Sequence, residues 1–207
     1  MATPLGILTF QKAIRGGVRP NLFSVDHAWP TGGGVTAPSI SGVENNSEVT
    51  YMCKSAALPA TNVGTVELPF RGRVIKVPGD RTYETWTATF YMDDAFQLRS
   101  AYEKWIQLTN GVDANVASTD IVNIFQDISI KQLDKFGGPG AANDGLTTLR
   151  EYKLVAAFPV SVSQISVAYD NNDSYEEFDV EFAYQYHETY AGDVGTGNLV
   201  NRQFDGN

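Results

Sequence analysis

Two histidines, His27 and His187, and one cysteine, Cys53, are the side chains best able to move a proton or attack a carbonyl near neutral pH. A thiol enzyme would need Cys53 and a histidine such as His187 to meet in space. A single cysteine in an extended stretch reads more simply as a small buried hydrophobe. No serine lies in a G-x-S-x-G elbow, and no paired-Cys or H-E-x-x-H spacing occurs, so neither a serine nucleophile nor a zinc site is expected. Asp93-Asp94 has the form of a carboxylate pair, yet it stands just before a helical pattern, where aspartate caps free N–H groups. Asp170, Asn172 and Ser174 alternate like calcium ligands, but Tyr175 occupies the place where such a loop needs glycine. The glycine runs at Gly16, Gly32 and Gly137 match neither phosphate-binding nor dinucleotide-binding patterns. No catalytic, cofactor-binding or metal residue is therefore assigned, and no cofactor is expected. Arg71, Arg73 and Lys76 form a small basic cluster, suited to phosphate or to an acidic surface on a neighbouring subunit.

Charge narrows the classes further. The formal net charge is −9, and no Lys or Arg lies between Lys153 and Arg202. An acidic surface repels phosphate and argues against a nucleic-acid binder held by basic side chains. With 43% hydrophobic and 12% aromatic residues, the chain has a globular balance that favours strands. Cys53 cannot form a disulfide within the chain. The start lacks a basic segment followed by an apolar one, and no apolar run approaches the ~18 residues of a spanning helix. Synthesis in a cytoplasm and no membrane segment are expected.

The positioning elements follow from periodicity. A short helix near Leu8–Arg15, or an arm, precedes a strand within Arg19–Trp29. Residues 31–47, rich in Gly, Pro, Ser and Asn, read as an exposed loop. Glu48–Leu58 reads as a strand, and residues 63–77 as two extended runs bent near Gly72. Pro78-Gly79-Asp80 reads as a turn. Thr82–Met92 alternates clearly, with Trp86, Ala88, Phe90 and Met92 inward. Asp94 and Gln97 predict a helix start, Leu98, Ala101, Tyr102 and Trp105 its buried stripe, and Asn110-Gly111 its end. Arg99 and Glu103 are spaced to pair. Strands are expected over Asp120–Leu133 and Thr147–Phe158, the latter ended by Pro159, with a flexible glycine-rich run at 137–145 between them. A hairpin is expected from Gln164–Tyr169 and Glu176–His187. In its second strand Phe178, Val180, Phe182, Tyr184 and Tyr186 face a core, and Glu177, Asp179 and Glu181 face water or an aqueous lumen.

Several motifs, in order, resemble the tail tube proteins of contractile-tailed bacteriophages. They are Arg19-Pro20-Asn21-Leu22-Phe23, Cys53-Lys54-Ser55-Ala56-Ala57-Leu58-Pro59-Ala60, and Lys76 through Gly79-Asp80-Arg81-Thr82 to Trp86-Thr87. The helix ending in Lys104-Trp105 comes next, then Phe158-Pro159-Val160, Ala168-Tyr169-Asp170-Asn171-Asn172 and Glu176-Glu177-Phe178-Asp179-Val180. The resemblance covers most of residues 19–188. It implies a mainly β fold, a small barrel or sandwich with one flanking helix and long loops. It also implies one tube domain over residues 1–188, with an inserted loop at about 30–47 and an extension at 189–207.

The function so implied is structural, not enzymatic. Copies form hexameric rings that stack into the hollow inner tube of a virion tail, the conduit for genome ejection. Implied partners are the chain itself, the sheath, baseplate and tail terminator proteins, and a tape measure protein and DNA in the lumen. Related tubes serve type VI secretion and R-type bacteriocins. Glu177, Asp179 and Glu181 are candidate lumen-facing residues, because a negative wall repels passing DNA. Arg71, Arg73, Lys76, Asp80 and Arg81 are candidate inter-subunit residues. The alternatives are the tube protein of a related contractile injection system and, from a different class, a carbohydrate-binding β-sandwich.

Overall fold

The computed structural model describes residues 7–14, 17–31, 35–38, 48–112, 123–135, 146–170, 172–191 and 198–199. In chain order its elements are α1 (Ile7–Ile14), β1 (Phe23–His27), α2 (Glu48–Met52), β2 (Cys53–Ala56), β3 (Asn62–Phe70), β4 (Arg73–Thr82), β5 (Trp86–Tyr91), α3 (Gln97–Thr109), β6 (Gln126–Leu133), β7 (Thr148–Val162), β8 (Glu177–Ala183), β9 (Tyr186–Ala191) and β10 (Asn198–Leu199). The mainly β class with a flanking helix is as the sequence implied.

Alternation builds the core. Trp86, Ala88 and Phe90 of β5 and Phe178, Val180 and Phe182 of β8 are buried on one side of their strands. Val25, Ile128, Ile130 and Leu154 do the same on β1, β6 and β7. The strands run β1-β6-β7-β8-β5-β2 in one antiparallel sheet, with β9 on β7 and β10 on β9. β7 belongs to both halves: Glu151–Val155 pair with β9, and Phe158–Val162 pair with β8. The sheet thereby folds over one core, and His27 of β1 comes within 6.2 Å of Phe182 of β8, centroid to centroid. Among the described strands no ladder joins the end strands β1 and β2, so the sandwich-like form holds and the closed barrel does not.

Helix α3 fills the core between the halves. Leu98, Ala101, Tyr102 and Trp105 are buried, as their spacing predicts. Its start differs from expectation. The helix begins at Gln97, and the buried Asp93, not Asp94, caps it: its carboxylate accepts the N–H groups of Gln97 at 2.8 Å and Leu98 at 3.1 Å. Phe96 takes a left-handed φ of 55°, which carries the chain between the carboxylate and the first turn. Arg99 and Glu103 pair at 2.8 Å.

Other expectations are corrected. Glu48–Met52 is a helical turn, tied to β1 by the Thr50 hydroxyl donating to the Val25 carbonyl at 2.8 Å, and only Cys53–Ala56 is a strand. Pro78-Gly79-Asp80 is no turn but part of β4, where the register slips opposite Gly64. A Cβ on Gly79 would lie 3.2 Å from the Gly64 carbonyl oxygen, a tight approach that glycine relieves at this bulge. Residues 83–85 lie outside both β4 and β5, so the expected Thr82–Met92 strand is confined to Trp86–Tyr91. Pro159 does not end β7; the register slips between Pro159 and Ser161, the kind of irregularity that tolerates a missing N–H. Gln164–Tyr169 forms no strand, because β5 and β7 already occupy the two flanks of β8. The expected Glu176–His187 strand breaks at Tyr184-Gln185 into β8 and β9, which lets the chain pass from one half of the sheet to the other. The run at 137–145 and most of the loop at 31–47 lie outside the described residues.

Candidate functional site: two assembly surfaces

The side chains able to do chemistry serve packing. Cys53 is buried against β5, and burial pushes its thiol up to about 12, so no thiolate forms near neutral pH. His27 shares a hydrogen bond of 2.8 Å with the Tyr102 hydroxyl and another of 2.9 Å with the Ala28 carbonyl, among Trp29, Trp105 and Phe182. His187 lies 3.2 Å from the Thr61 hydroxyl, and burial and then the Arg81 charge hold its pKa below the ordinary value. Among the described residues no three His, Cys, Asp or Glu side chains gather to hold a metal ion.

The first surface is the outward face of β5 and β8. Glu177, Asp179 and Glu181 alternate with the buried Phe178, Val180 and Phe182. Each carboxylate has a partner. The Thr89 hydroxyl donates to Asp179 at 2.7 Å, the Thr85 hydroxyl donates to Glu181, and the Lys54 ammonium donates to both oxygens of Glu177 at 2.6 Å. Ser161 lies beside Glu181 on β7, and Ser163 accepts the Asp179 N–H at 2.8 Å. The acidic row is therefore bracketed by hydroxyls on both sides. Lys54 is the sole basic residue in β2, β5 and β8, and its hydrogen bond to Glu177 raises its pKa.

The second surface is the ribbon β3–β4, which forms a two-stranded sheet of its own. Its turn has φ of 46° at Arg71 and 78° at Gly72, the positive-φ pair that suits a two-residue hairpin. Cross-strand pairs Val66–Val77, Leu68–Ile75 and Phe70–Arg73 share one face, and Thr65–Pro78, Glu67–Lys76 and Pro69–Val74 share the other. Leu68, Phe70 and Ile75 are each half exposed or more (50–58%), and among the described strands β3 and β4 pair only with each other. An isolated hairpin is marginal in water, and an apolar face of this kind marks an interaction surface.

The structure gathers the inter-subunit candidates on this one ribbon. Arg71 and Arg73 are at its tip, and Lys76 is midway, 3.5 Å from Glu67. Asp80 and Arg81 are at its root, Arg81 near enough to His187 to lower its pKa. The acidic row is on separate elements. Sequence reasoning found the charges but missed the apolar stripe between them. Its signal was there, in the alternation of Val66, Leu68 and Phe70 against Ile75 and Val77. It also missed a polar face on the other half of the sheet. There Ser24, Lys131, Glu151 and Tyr190 align across four strands, next to Asp26, Ser129, Lys153 and Glu188. Those residues are far apart in the chain, so no local window displays them.

A folded-over antiparallel sheet, one core helix and a projecting ribbon whose apolar face the described residues leave exposed are the features of a structural protein. Residues 18–190 match the family described as phage tail tube protein, and the chain belongs to that family, whose members are components of the virion tail. It is 28% identical over 170 residues to tail tube protein gp19 of Enterobacteria phage T4, covering 82% of this chain and 90% of that one. The tail tube protein of Serratia phage KSP90 is 26% identical over 151 residues, covering 72% and 80%. Among solved structures, a chain of the sheath-tube complex of the extracellular contractile injection system PVC, in the extended state, superposes with a TM-score of 0.56 at 16% identity, covering 88% of this chain and 97% of that one. A chain of the anti-feeding prophage baseplate gives 0.54 at 11% identity, covering 91% and 97%. At these identities the two structures share the fold.

Proposed function

We propose that this chain is the ring-forming subunit of the inner tube of a contractile phage tail. Six copies close each ring, and stacked rings make the hollow conduit for genome ejection. The observation that carries the reading is the ribbon: a tail tube family member presents a long hairpin whose apolar face the described residues leave exposed. Ring closure by a heterologous contact would cover that face and also use the open ends at β1 and β2.

The row of Glu177, Asp179 and Glu181 lines the lumen. Carboxylates held by neighbouring hydroxyls give an anionic wall, with Lys54 already engaged by Glu177, and such a wall repels a passing phosphate backbone. Arg71, Arg73, Lys76, Asp80 and Arg81 serve contacts between copies. The tube domain occupies residues 1–188, with the loop at about 30–47 as an insertion. The extension at 189–207 begins within β9, whose described residues run to Ala191. Sheath, baseplate and terminator proteins contact the outer wall and ends, and the subunit performs no catalysis.

The same subunit would serve a related contractile injection system, a reading favoured by the fold shared with the PVC chain. Negative-stain microscopy of the purified protein tests the core proposal. Rings and stacked tubes are expected. A monomer at high concentration that binds glycans would replace it with the carbohydrate-binding alternative. Co-sedimentation of preformed tubes with purified sheath proteins of phage tails and of injection systems separates the two readings by the partner retained.

A further inference from the structure

The ladder between β7 and β8 stops at Ser163, whose N–H donates to the Asp179 carbonyl at 2.8 Å. Beyond that point the chain leaves the sheet and returns at Glu176. Between the two segments lies a cleft of about 460 Å³, lined by Gln164–Ala168 and Ser174–Glu177. Its lining is more polar than apolar, with Ile165, Val167 and Ala168 as the apolar part. Its rim is unusual for a surface in water: Val167, Tyr169 and Tyr175 are 79%, 108% and 84% exposed. The acids Asp170, Asp173 and Glu176 stand among them, all exposed. The cleft thus has a partly apolar lining with Tyr175 and two glutamates in it, and Tyr169, Asp170 and Asp173 stand beside it.

The tip of the β3–β4 ribbon has the complementary chemistry. Phe70 is 58% exposed, and the Arg71 guanidinium lies 5.4 Å from the centroid of its ring. Arg73, the cross-strand partner of Phe70, adds a second cation. The positive-φ turn holds Arg71 and Gly72 in a defined hairpin end, so little ordering remains to be lost on docking. Glu67 is the acidic residue of β3, and it lies by Lys76, away from the tip.

We propose that the ribbon tip of one copy seats in the cleft of a second copy, between residues 164–168 and 174–177. The proposal rests on the tube reading above and names the partner surface of the ribbon. Phe70 meets Ile165 and Val167, and the guanidinium groups of Arg71 and Arg73 meet the carboxylates of Asp170 and Glu176 beside the tyrosine rings. A second copy is the occupant because the two surfaces are opposite in charge and both carry exposed apolar side chains, while among the described strands β3 and β4 pair only with each other. The contact joins two different patches, so it propagates from copy to copy.

Charge reversal in pairs tests this on the full chain. Arg71→Glu with Arg73→Glu should lower the yield of sedimenting tubes about tenfold or more, since like charges then face each other. Asp170→Lys with Glu176→Lys should do the same. All four changes in one chain should restore tubes towards the starting yield, as a coupled pair requires. Thermal unfolding of each variant monomer should match the parent, because every position is exposed. Parent tubes with undiminished tubes from the tip-reversed chain would overturn the seat and leave the tube reading standing. So would two single reversals that both block assembly without rescue in the combined chain. A parent chain that makes no rings under any condition would overturn both.

Discussion

The Asp127 carboxylate accepts the backbone N–H of Ala156 at 3.0 Å, across the point where β7 passes from one half of the sheet to the other. The register slips here, with Val155 and Ala156 opposing the single residue Asp127. Ala156 sits at φ 52°, a left-handed conformation that costs an L-residue with a Cβ about 1 kcal/mol or more. Asp127 also accepts a 2.7 Å hydrogen bond from the Lys153 ammonium. Burial alone would raise its pKa, but the hydrogen bonds from Lys153 and Ala156 outweigh it and hold the carboxyl below the ordinary value. Ala156→Gly should therefore stabilise the monomer by about 1 kcal/mol, and Asp127→Ala should destabilise it by about 1 kcal/mol. A depressed folded pKa gives stability that is present above the ordinary aspartate range and is lost as pH falls through the folded value. Urea titrations of both variants, at pH 7 and at pH 3, check the sign: the Asp127→Ala penalty should shrink in acid.

The cap of α3 gives a second prediction, and a sharp contrast between adjacent residues. Asp93 is buried and bonds two helix N–H groups, whereas Asp94 is exposed. Loss of a capping carboxylate costs about 1–2 kcal/mol. Asp93→Ala should lower the midpoint of thermal unfolding by several degrees, and Asp94→Ala should leave it nearly unchanged. Equal effects at the two positions would contradict the observed capping geometry.

How much of this was legible in the sequence depends on the range of the interaction. The stripe Leu98–Trp105 and the alternation within Trp86–Tyr91 and Glu177–Ala183 are local and appear where the pattern places them, whereas Tyr186, expected in the same buried row, starts β9 and is exposed. The choice between Asp93 and Asp94 was not legible, because it turns on Phe96 adopting a left-handed backbone. Pro78-Gly79-Asp80 looks like a turn by composition, yet the partner strand at Gly64 draws it into a bulge. The hairpin assigned to Gln164–Tyr169 failed for a tertiary reason: both flanks of β8 were already taken. At the assembly surfaces the charged residues were legible singly. That the tip arginines stand on an uncovered apolar ribbon required the register of β3 on β4.

His27 supplies a pH-dependent prediction. Burial lowers its pKa to about 4, outweighing the hydrogen bond to the Ala28 carbonyl, while the unfolded chain keeps the ordinary value near 6.5. Between those values the unfolded state binds more protons than the folded one. Stability from the neutral imidazole is therefore complete above about pH 6.5 and falls as pH drops towards 4. The loss should reach about 3 kcal/mol at the lower end. His27→Gln keeps a polar group near Tyr102 but cannot take the proton. The variant should be less stable at pH 7 and should lose the part of the acid slope between pH 6.5 and 4. Denaturation midpoints of parent and variant across this window measure the difference. Parallel curves would exclude His27 as the source.

The acidic row on β8 makes the last prediction, one about passage and not folding. Glu181 faces outward and accepts from Thr85, and Asp179 accepts from Thr89, so neither carboxylate supports the core. Glu181→Lys should leave rings, stacks and monomer stability near those of the parent, since surface changes of this kind fall within about 0.5 kcal/mol. If six copies ring a lumen lined by β8, the repetition converts that one change into a dense band of positive charge. DNA would then bind the wall it now slides past, more strongly at low salt, because screening weakens the attraction over about 10 Å at 0.1 M. Virions carrying Glu181→Lys should eject their genomes more slowly, and raised ionic strength should restore the rate. Asp179→Asn, which removes charge without reversing it, should have a smaller effect in the same direction. Normal ejection from intact Glu181→Lys tails at low salt would place β8 on another wall. The polar face that carries Asp26, Lys131 and Lys153 would then be the next to reverse.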